Sequence, residues 1–200
     1  MAWSRREDQR LERALLTMGR GERTAEGEPV GMSELYDLMA QAIYTTAYVI
    51  TGRREDAEDV LQDTLIEILM DAHLYRPRTN PRAWVLTVTR HTALDAVRKR
   101  ARHATLPMED AAAILPAPPD AEEDLAALWD MLAVLTGEER ELVVLRLYHT
   151  LPYSVISETL HISVAAAQKR YQRAIDKLKN HYGVAKPAHT PQKGDRHEGN

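Results

Sequence analysis

The 200-residue chain has no cysteine and no phenylalanine. The first absence excludes disulfides, thiolate metal sites and cysteine nucleophiles. The second leaves the aromatic load to eight Tyr and three Trp. No apolar run approaches the roughly 20 residues that a membrane helix needs. The opening stretch MAWSRREDQRLERALL is too charged for a secretory signal peptide. There is no glycine-rich phosphate loop and no Gly-x-Ser-x-Gly, and the eight histidines fall without metal-ligand spacing, so no cofactor and no metal site are expected. A formal net charge of −4 argues against a generic nucleic-acid coat. The expectation is a soluble protein of a reducing cytoplasm.

What is present is helical periodicity, interrupted at few points. Residues 5–18 carry Leu11, Leu15, Leu16 and Met18, and are followed by the Gly-rich break GRGERTAEGEPVG at 19–31. Leu35, Leu38, Met39, Ala42, Ile43, Ala47 and Ile50 form a continuous helical stripe that Gly52 closes. Tyr36, Tyr44 and Tyr48 share that spacing and are read as core or its rim. A further helix begins near Arg54 with Val60, Leu61, Leu65, Ile68 and Leu69. YRPRTNP at 75–81 is a loop, and Pro81 opens a helix that runs to about Ala101. Residues 103–121 hold four prolines and read as a linker. Helices resume near Glu122, with Leu125, Leu128, Trp129, Leu132 and Leu135 apolar. Thr136 and Glu139 have capping-box spacing, and helices are expected at about 152–160 and 163–180. The polar tail 183–200 reads as disordered. The fold class is therefore all-α: two small helical domains, 32–102 and 122–182, joined by a Pro-rich linker and preceded by an N-terminal helix and flexible segment at 1–31.

The small net charge hides segregation. Glu55 to Asp71 holds seven acids and no base; Arg90 to Arg102 holds five bases and one acid; Ser163 to His181 again holds five bases and one acid. A single charge run is ordinarily a solvated face. Two basic helices in separate domains, one of them second in a helix-turn-helix, point instead to nucleic acid.

LPYSVISETL-HIS-VAAAQKRYQRAIDKLKN has that helix-turn-helix layout. Ile156 and Leu160 line the first helix, Ile162 fills the turn, and Ala167 and Tyr171 line the second. Ser163 is a suitable N-cap and exposes the next residues as the leading end of a recognition helix. Gln168 suits adenine; Lys169, Arg170, Arg173 and Lys177 suit bases or phosphates. His161 stands at the turn position that favours glycine, and its side chain tolerates left-handed backbone better than most.

Glu55, Asp59, Asp63 and Glu67 recur every four residues and stack on one helix face. Like charges at that spacing disfavour the helix slightly and imply an external counter-charge. A divalent metal, as in all-α Mg²⁺-dependent nucleotide hydrolases, is one candidate, although the neighbouring helix offers only Asp37. A basic protein surface is the other.

Taken in order, DAEDVLQDT (56–64), PRAWVLTVTRHTALDAVRKR (81–100), the Pro-rich linker and LTGEERELVVLRLYHTLPYSVISETLHISVAAAQKR (135–170) resemble the bacterial RNA polymerase sigma factors of the sigma-70 family, in the small two-domain extracytoplasmic-function (ECF) class. The resemblance covers about residues 32–182. It implies a promoter-specificity subunit and not an enzyme, with the β′ and β subunits of core RNA polymerase, promoter DNA and an inhibitory anti-sigma factor as partners. By it, Asp56, Glu58, Asp59, Gln62 and Asp63 dock on a basic coiled coil of β′. The loop 75–82 and the helix after it open the minus-ten element: Arg76, Arg78, Thr79, Asn80 and Arg82 surround Trp84, and Arg90, Arg98, Lys99 and Arg100 hold the single strand. Trp84 either builds the domain or reaches DNA, and Tyr75 is an equal candidate for stacking. The second domain reads the minus-thirty-five element through Ser163, Ala166, Gln168, Lys169, Arg170, Arg173 and Lys177. The family pattern there is commonly Gly-Thr-Val-Lys-Ser-Arg; residues 165–170 keep only Arg170, which leaves the promoter sequence open. Linker acids Glu109 and Asp110 would mimic RNA charge. A helix-turn-helix regulator that never joins polymerase and the Mg²⁺-dependent hydrolase remain the alternatives.

Overall fold

A computed structural model describes residues 4–103 and 122–183, with no account of the side chains of 103 and 122–126. Helix α1 (Arg5–Gly19) starts at a Ser4–Glu7 capping box. The Gly-rich break forms hydrogen-bonded turns with one isolated bridge between Arg23 and Pro29. Helix α2 (Met32–Thr51) ends at Gly52 in the left-handed conformation, and α3 (Arg54–Asp71) follows at once. A 3-10 turn at Ala72–Leu74 leads into the 75–80 loop and α4 (Pro81–His103). Asn80 caps α4 through Oδ1, which accepts from the Ala83 N–H at 2.9 Å. After α5 (Glu122–Leu132), α6 (Gly137–Val143) begins at the Thr136–Glu139 capping box and continues through a π turn, Val144–Tyr148. Helices α7 (Tyr153–Leu160) and α8 (Val164–His181) meet at His161, whose φ of 52° and ψ of 43° are left-handed. That is the geometry a helix-turn-helix bend needs.

The first helical group packs α2, α3 and α4 around Leu35, Met39, Ile43, Leu61, Ile68 and Leu86, and α1 covers one end with Leu11 and Leu15. The second group does not stand apart. Leu142, Leu145, Leu151 and Ile156 join the same apolar cluster, and Val49 of α2 packs with Leu132, Val143 and Val144. Burying one such side chain contributes about 1.5–3 kcal/mol, so this contact is a substantial part of the fold.

Polar groups fasten the same seam. Arg90 of α4 pairs with Glu141 of α6 at 2.7 Å. His149 meets Thr46 of α2 at 3.1 Å, and Gln41 donates to the Tyr148 hydroxyl at 3.3 Å. Trp129 lies edge-on to Tyr48, with Arg140 over its ring at 4.2 Å, and covers Gly52. A Cβ on Gly52 would sit 2.9 Å from Trp129 Cη2 on a backbone with φ of +72°. Gly52→Ala is therefore expected to destabilise the protein by at least about 1 kcal/mol, measured as a lowered denaturation midpoint. Adding Trp129→Ala should remove the steric share of that loss; a Gly52→Ala midpoint equal to wild type would refute the contact.

Candidate nucleic-acid and polymerase interfaces

Helix α3 has its apolar side, Ala57, Val60, Leu61, Thr64, Leu65 and Ile68, against α2 and α4. The opposite side is thereby forced outward. Glu55, Asp59, Asp63 and Glu67 are all exposed. Burial lifts the Asp63 carboxyl above its usual range, repulsion from Asp59 adds to this, and Lys99 partly offsets it. Glu55 has Arg53 at 3.6 Å, and Glu67 accepts from Thr92 at 2.7 Å. The other docking candidates are less open. Asp56 pairs with Arg100 of α4, Glu58 is half-buried, and the Gln62 amide nitrogen is covered without a hydrogen-bond partner among the described residues. Three apolar side chains extend the acidic face toward its C-terminal end: Ile66, Met70 and Leu74, at 56%, 70% and 58% exposure. The sequence reading missed them, although a helical wheel through Asp59 and Asp63 already places Ile66 and Met70 beside that face.

The 75–82 loop is held from below. Tyr75 is buried, edge-on to Trp84 at 5.6 Å, and donates to the Thr79 carbonyl at 3.2 Å. Its place in the core takes it out of reach of a base. Trp84 is half-buried, packed on the core with one side toward a cleft. Arg78 has a φ of 66°, uncommon for a bulky residue, and its N–H donates to Glu12 Oε1 of α1 at 2.8 Å. Arg82 is buried against Asp8 of α1. Burial pulls its guanidinium below the usual arginine range, and Asp8 acts in the opposite sense. What stays open is a cleft of ≈ 300 Å³ lined by Arg76, Thr79, Asn80, Trp84 and Thr87, with Glu158 of α7 at its edge.

Along α4, Arg90 is engaged by Glu141, Arg100 by Asp56 and Arg98 by Asp95 at 2.7 Å, while Lys99 is exposed. Glu141 is nearly buried; desolvation raises its carboxyl above the usual range against the pull of Arg90.

On α8, Ala167 and Ala174 face the core. Ser163 Oγ accepts from the Ala166 N–H at 3.1 Å, an N-cap that fixes the helix start. Ala165, Ala166, Gln168, Lys169, Gln172 and Arg173 are exposed. Two of the cations are engaged by acids of α6: Arg170 by Glu138 at 3.0 Å and Lys177 by Glu139 at 2.7 Å. Among the described residues no group of three or more His, Asp or Glu converges to hold a metal ion, and no helix is long and apolar enough to cross a membrane.

An all-α body with an acidic helix face at one place and a helix-turn-helix at another is the form of a DNA-binding transcription protein. Residues 35–103 match sigma-70 region 2 and residues 125–178 match sigma-70 region 4, together more than half of the chain. The chain is 29% identical over 172 residues to the ECF RNA polymerase sigma factor SigE of Mycolicibacterium smegmatis, covering 78% of this chain and 65% of that one. It is 28% identical over 167 residues to SigL of Mycobacterium tuberculosis, covering 81% and 94%. In structure it is similar to CnrH, solved with the cytosolic domain of CnrY, at a TM-score of 0.66 and 20% identity over 88% of this chain and 99% of that one. It is also similar to RpoE of Bartonella quintana, solved with the anti-sigma factor NepR, at 0.63 and 23% over 77% and 98%. The chain belongs to the sigma-70 family, in its extracytoplasmic-function class, and its function is that of a sigma factor directing RNA polymerase to promoters. This is a family not known for enzymatic activity.

Proposed function

We propose that α3 docks on a basic helical surface of the β′ subunit through Asp59 and Asp63, with Ile66 and Met70 adding apolar contact. The loop 75–82 with α4 opens the minus-ten element, and α8 enters the major groove at the minus-thirty-five element. One observation carries this reading: the two helices leave faces of opposite charge uncovered, acidic on α3 and basic on α8. A carboxylate face attracts a cationic protein surface, whereas Lys169 and Arg173 attract phosphates. The cleft beside Trp84 offers polar and aromatic walls to a base taken out of the stack, a step that costs a few kcal/mol. The chain acts in the cytoplasm, without catalysis of its own. By likeness to RpoE of Bartonella quintana, it has an anti-sigma partner. Residues 32–102 and 122–182 form the two functional domains, and the linker proposed at 103–121, with Glu109 and Asp110, falls almost wholly outside the described residues.

Reading both elements requires the domains to part. Elements about 25 base pairs apart are separated by about 85 Å at ~3.4 Å per pair. A compact body of this length has a radius of gyration of about 16 Å. The seam at Arg90–Glu141 and Thr46–His149 must therefore open on the promoter, which also releases Arg90 for the single strand.

Run-off transcription with purified core polymerase tests the proposal. Promoter-dependent transcripts that require the chain are expected. Operator binding without polymerase would favour a free regulator, and nucleotide hydrolysis lost in Asp59→Ala would favour a hydrolase. Within the complex, Arg173→Ala should reduce the slope of log affinity against log salt by about 0.9, one phosphate contact. An unchanged slope removes Arg173 from the backbone contacts.

A further inference from the structure

Helix α8 carries one acid, the half-buried Asp176, beside five bases. An acid beside DNA phosphates costs affinity, so its place calls for a compensating role. Its carboxylate Oδ1 accepts a hydrogen bond from Gln172 Nε2 at 3.1 Å, one helical turn earlier. Gln172 itself is exposed, on the side of α8 opposite the buried Ala167 and Ala174.

A glutamine amide has two N–H donors and one carbonyl acceptor. With one N–H committed to Asp176, the amide plane is fixed, and the second N–H and the carbonyl oxygen remain for a ligand. Adenine presents the complementary pair in the major groove, an acceptor at N7 and a donor at N6. Guanine presents two acceptors there, so the glutamine carbonyl would face O6 with no proton between them. Arg170, the one cation retained from the family pattern, is turned toward Glu138 and leaves this part of the face to the amides.

We propose that Gln172 is a specificity residue that reads an adenine of the minus-thirty-five element, with Asp176 as the positioning residue that orients its amide. The inference rests on the proposed entry of α8 into the major groove. Gln168 lies four residues earlier, about 6 Å along the helix axis, which is close to two base-pair rises. It is exposed on the same side and can offer a second amide to a neighbouring pair.

The test uses holoenzyme assembled from the full chain and core polymerase. It selects from duplexes randomised across the minus-thirty-five region and then replaces the selected adenine by 7-deazaadenine. Wild type is expected to select adenine and to lose on the order of tenfold in affinity on removal of N7. Gln172→Ala should bind both duplexes alike. Gln172→Glu combined with Asp176→Asn, whose amide N–H can donate to the new carboxylate, should shift the preference at that one position to cytosine, whose N4 amino group donates to a carboxylate. Asp176→Ala should weaken discrimination at the same position only, and Asp176→Asn, which keeps an acceptor oxygen, should restore it. A change confined to overall affinity would mark Asp176 as structural and overturn its positioning role. Adenine preference retained in Gln172→Ala, or unmoved in Gln172→Glu with Asp176→Asn, would overturn the assignment while the transcribing holoenzyme stands. Failure to form holoenzyme at all would overturn the proposed function and this inference with it.

Discussion

Reversing two charges on α3, Asp59→Arg with Asp63→Arg, is expected to weaken core polymerase binding by about a thousandfold or more and to abolish promoter-dependent transcripts. Both carboxylates are exposed, and Lys99 only partly offsets the burial and repulsion that raise Asp63. They are therefore available to a partner's cations. Placing like charges face to face across an interface costs several kcal/mol, and each 1.4 kcal/mol is a factor of ten. The fold should survive, because exposed substitutions of this kind ordinarily change stability by no more than about 0.5 kcal/mol. The existing carboxylate row is also self-repelling at the four-residue spacing. Pull-down with core enzyme and a denaturation curve on the same sample separate the two effects. A double variant that unfolds is uninformative about docking only until Asp59→Asn with Asp63→Asn is measured, which removes charge without reversing it. A folded double reversal that still binds would refute docking through this face.

The same geometry gives the docking step a pH dependence. The Asp63 carboxyl lies above its ordinary value in the free chain, and contact with a cation would lower it again. Binding then releases a proton, so affinity should fall as pH drops toward the carboxylate range and be insensitive to pH well above it. The exposed Ile66, Met70 and Leu74 predict a second contribution that salt does not screen. Met70→Ser should weaken docking at high and low ionic strength alike.

Much of this arrangement was legible from residues alone, because it depends on local chemistry. The capping boxes at Ser4 and Thr136, Gly52 at the end of α2, Pro81 at the start of α4 and His161 in the helix-turn-helix bend each act within a few residues of themselves. The exposed carboxylate row followed from a period of four set against an apolar stripe. What escaped was every contact made across long sequence separation. Arg90 and Arg100 read as a basic run for DNA, yet one is engaged by an acid of α6 and the other by Asp56, a docking candidate itself. Arg82 and Asn80 read as polar loop residues near a flipped base. The first is buried under α1, and the second caps α4. No pattern in a single sequence says which acid a given arginine will meet. The docking of α6 and α7 on the first helical group was equally hidden, because the leucines that make it also fit a self-contained core.

His149 sits in that seam, and its titration should make the protein less stable in acid. The ring is buried, hydrogen-bonded to Thr46 and edge-on to Tyr148 at 5.3 Å, and burial pushes its pKa down to about 4. The neutral ring is thus the form the folded protein accepts. A histidine depressed in the folded state contributes stability that is full above its ordinary value of about 6.5 and is lost as pH falls toward the folded value. The shift corresponds to about 3 kcal/mol in all, of which about 2 kcal/mol should be lost between pH 7 and pH 5. For a chain of this size that is roughly 4–8 °C in the denaturation midpoint. Glu141 works in the opposite sense, since its raised carboxyl favours the folded form on protonation. Glu139 is pulled below the usual range, the hydrogen bonds from Lys177 and Thr136 outweighing its burial, and so loses its contribution only in more acidic solution. His149→Gln keeps a hydrogen-bonding group for Thr46 and removes the titration. Its midpoint should vary much less than that of wild type between pH 7 and pH 5. Equal slopes in the two proteins would mean that the ring is already hydrated, and that the two helical groups are parted in solution before any promoter is bound.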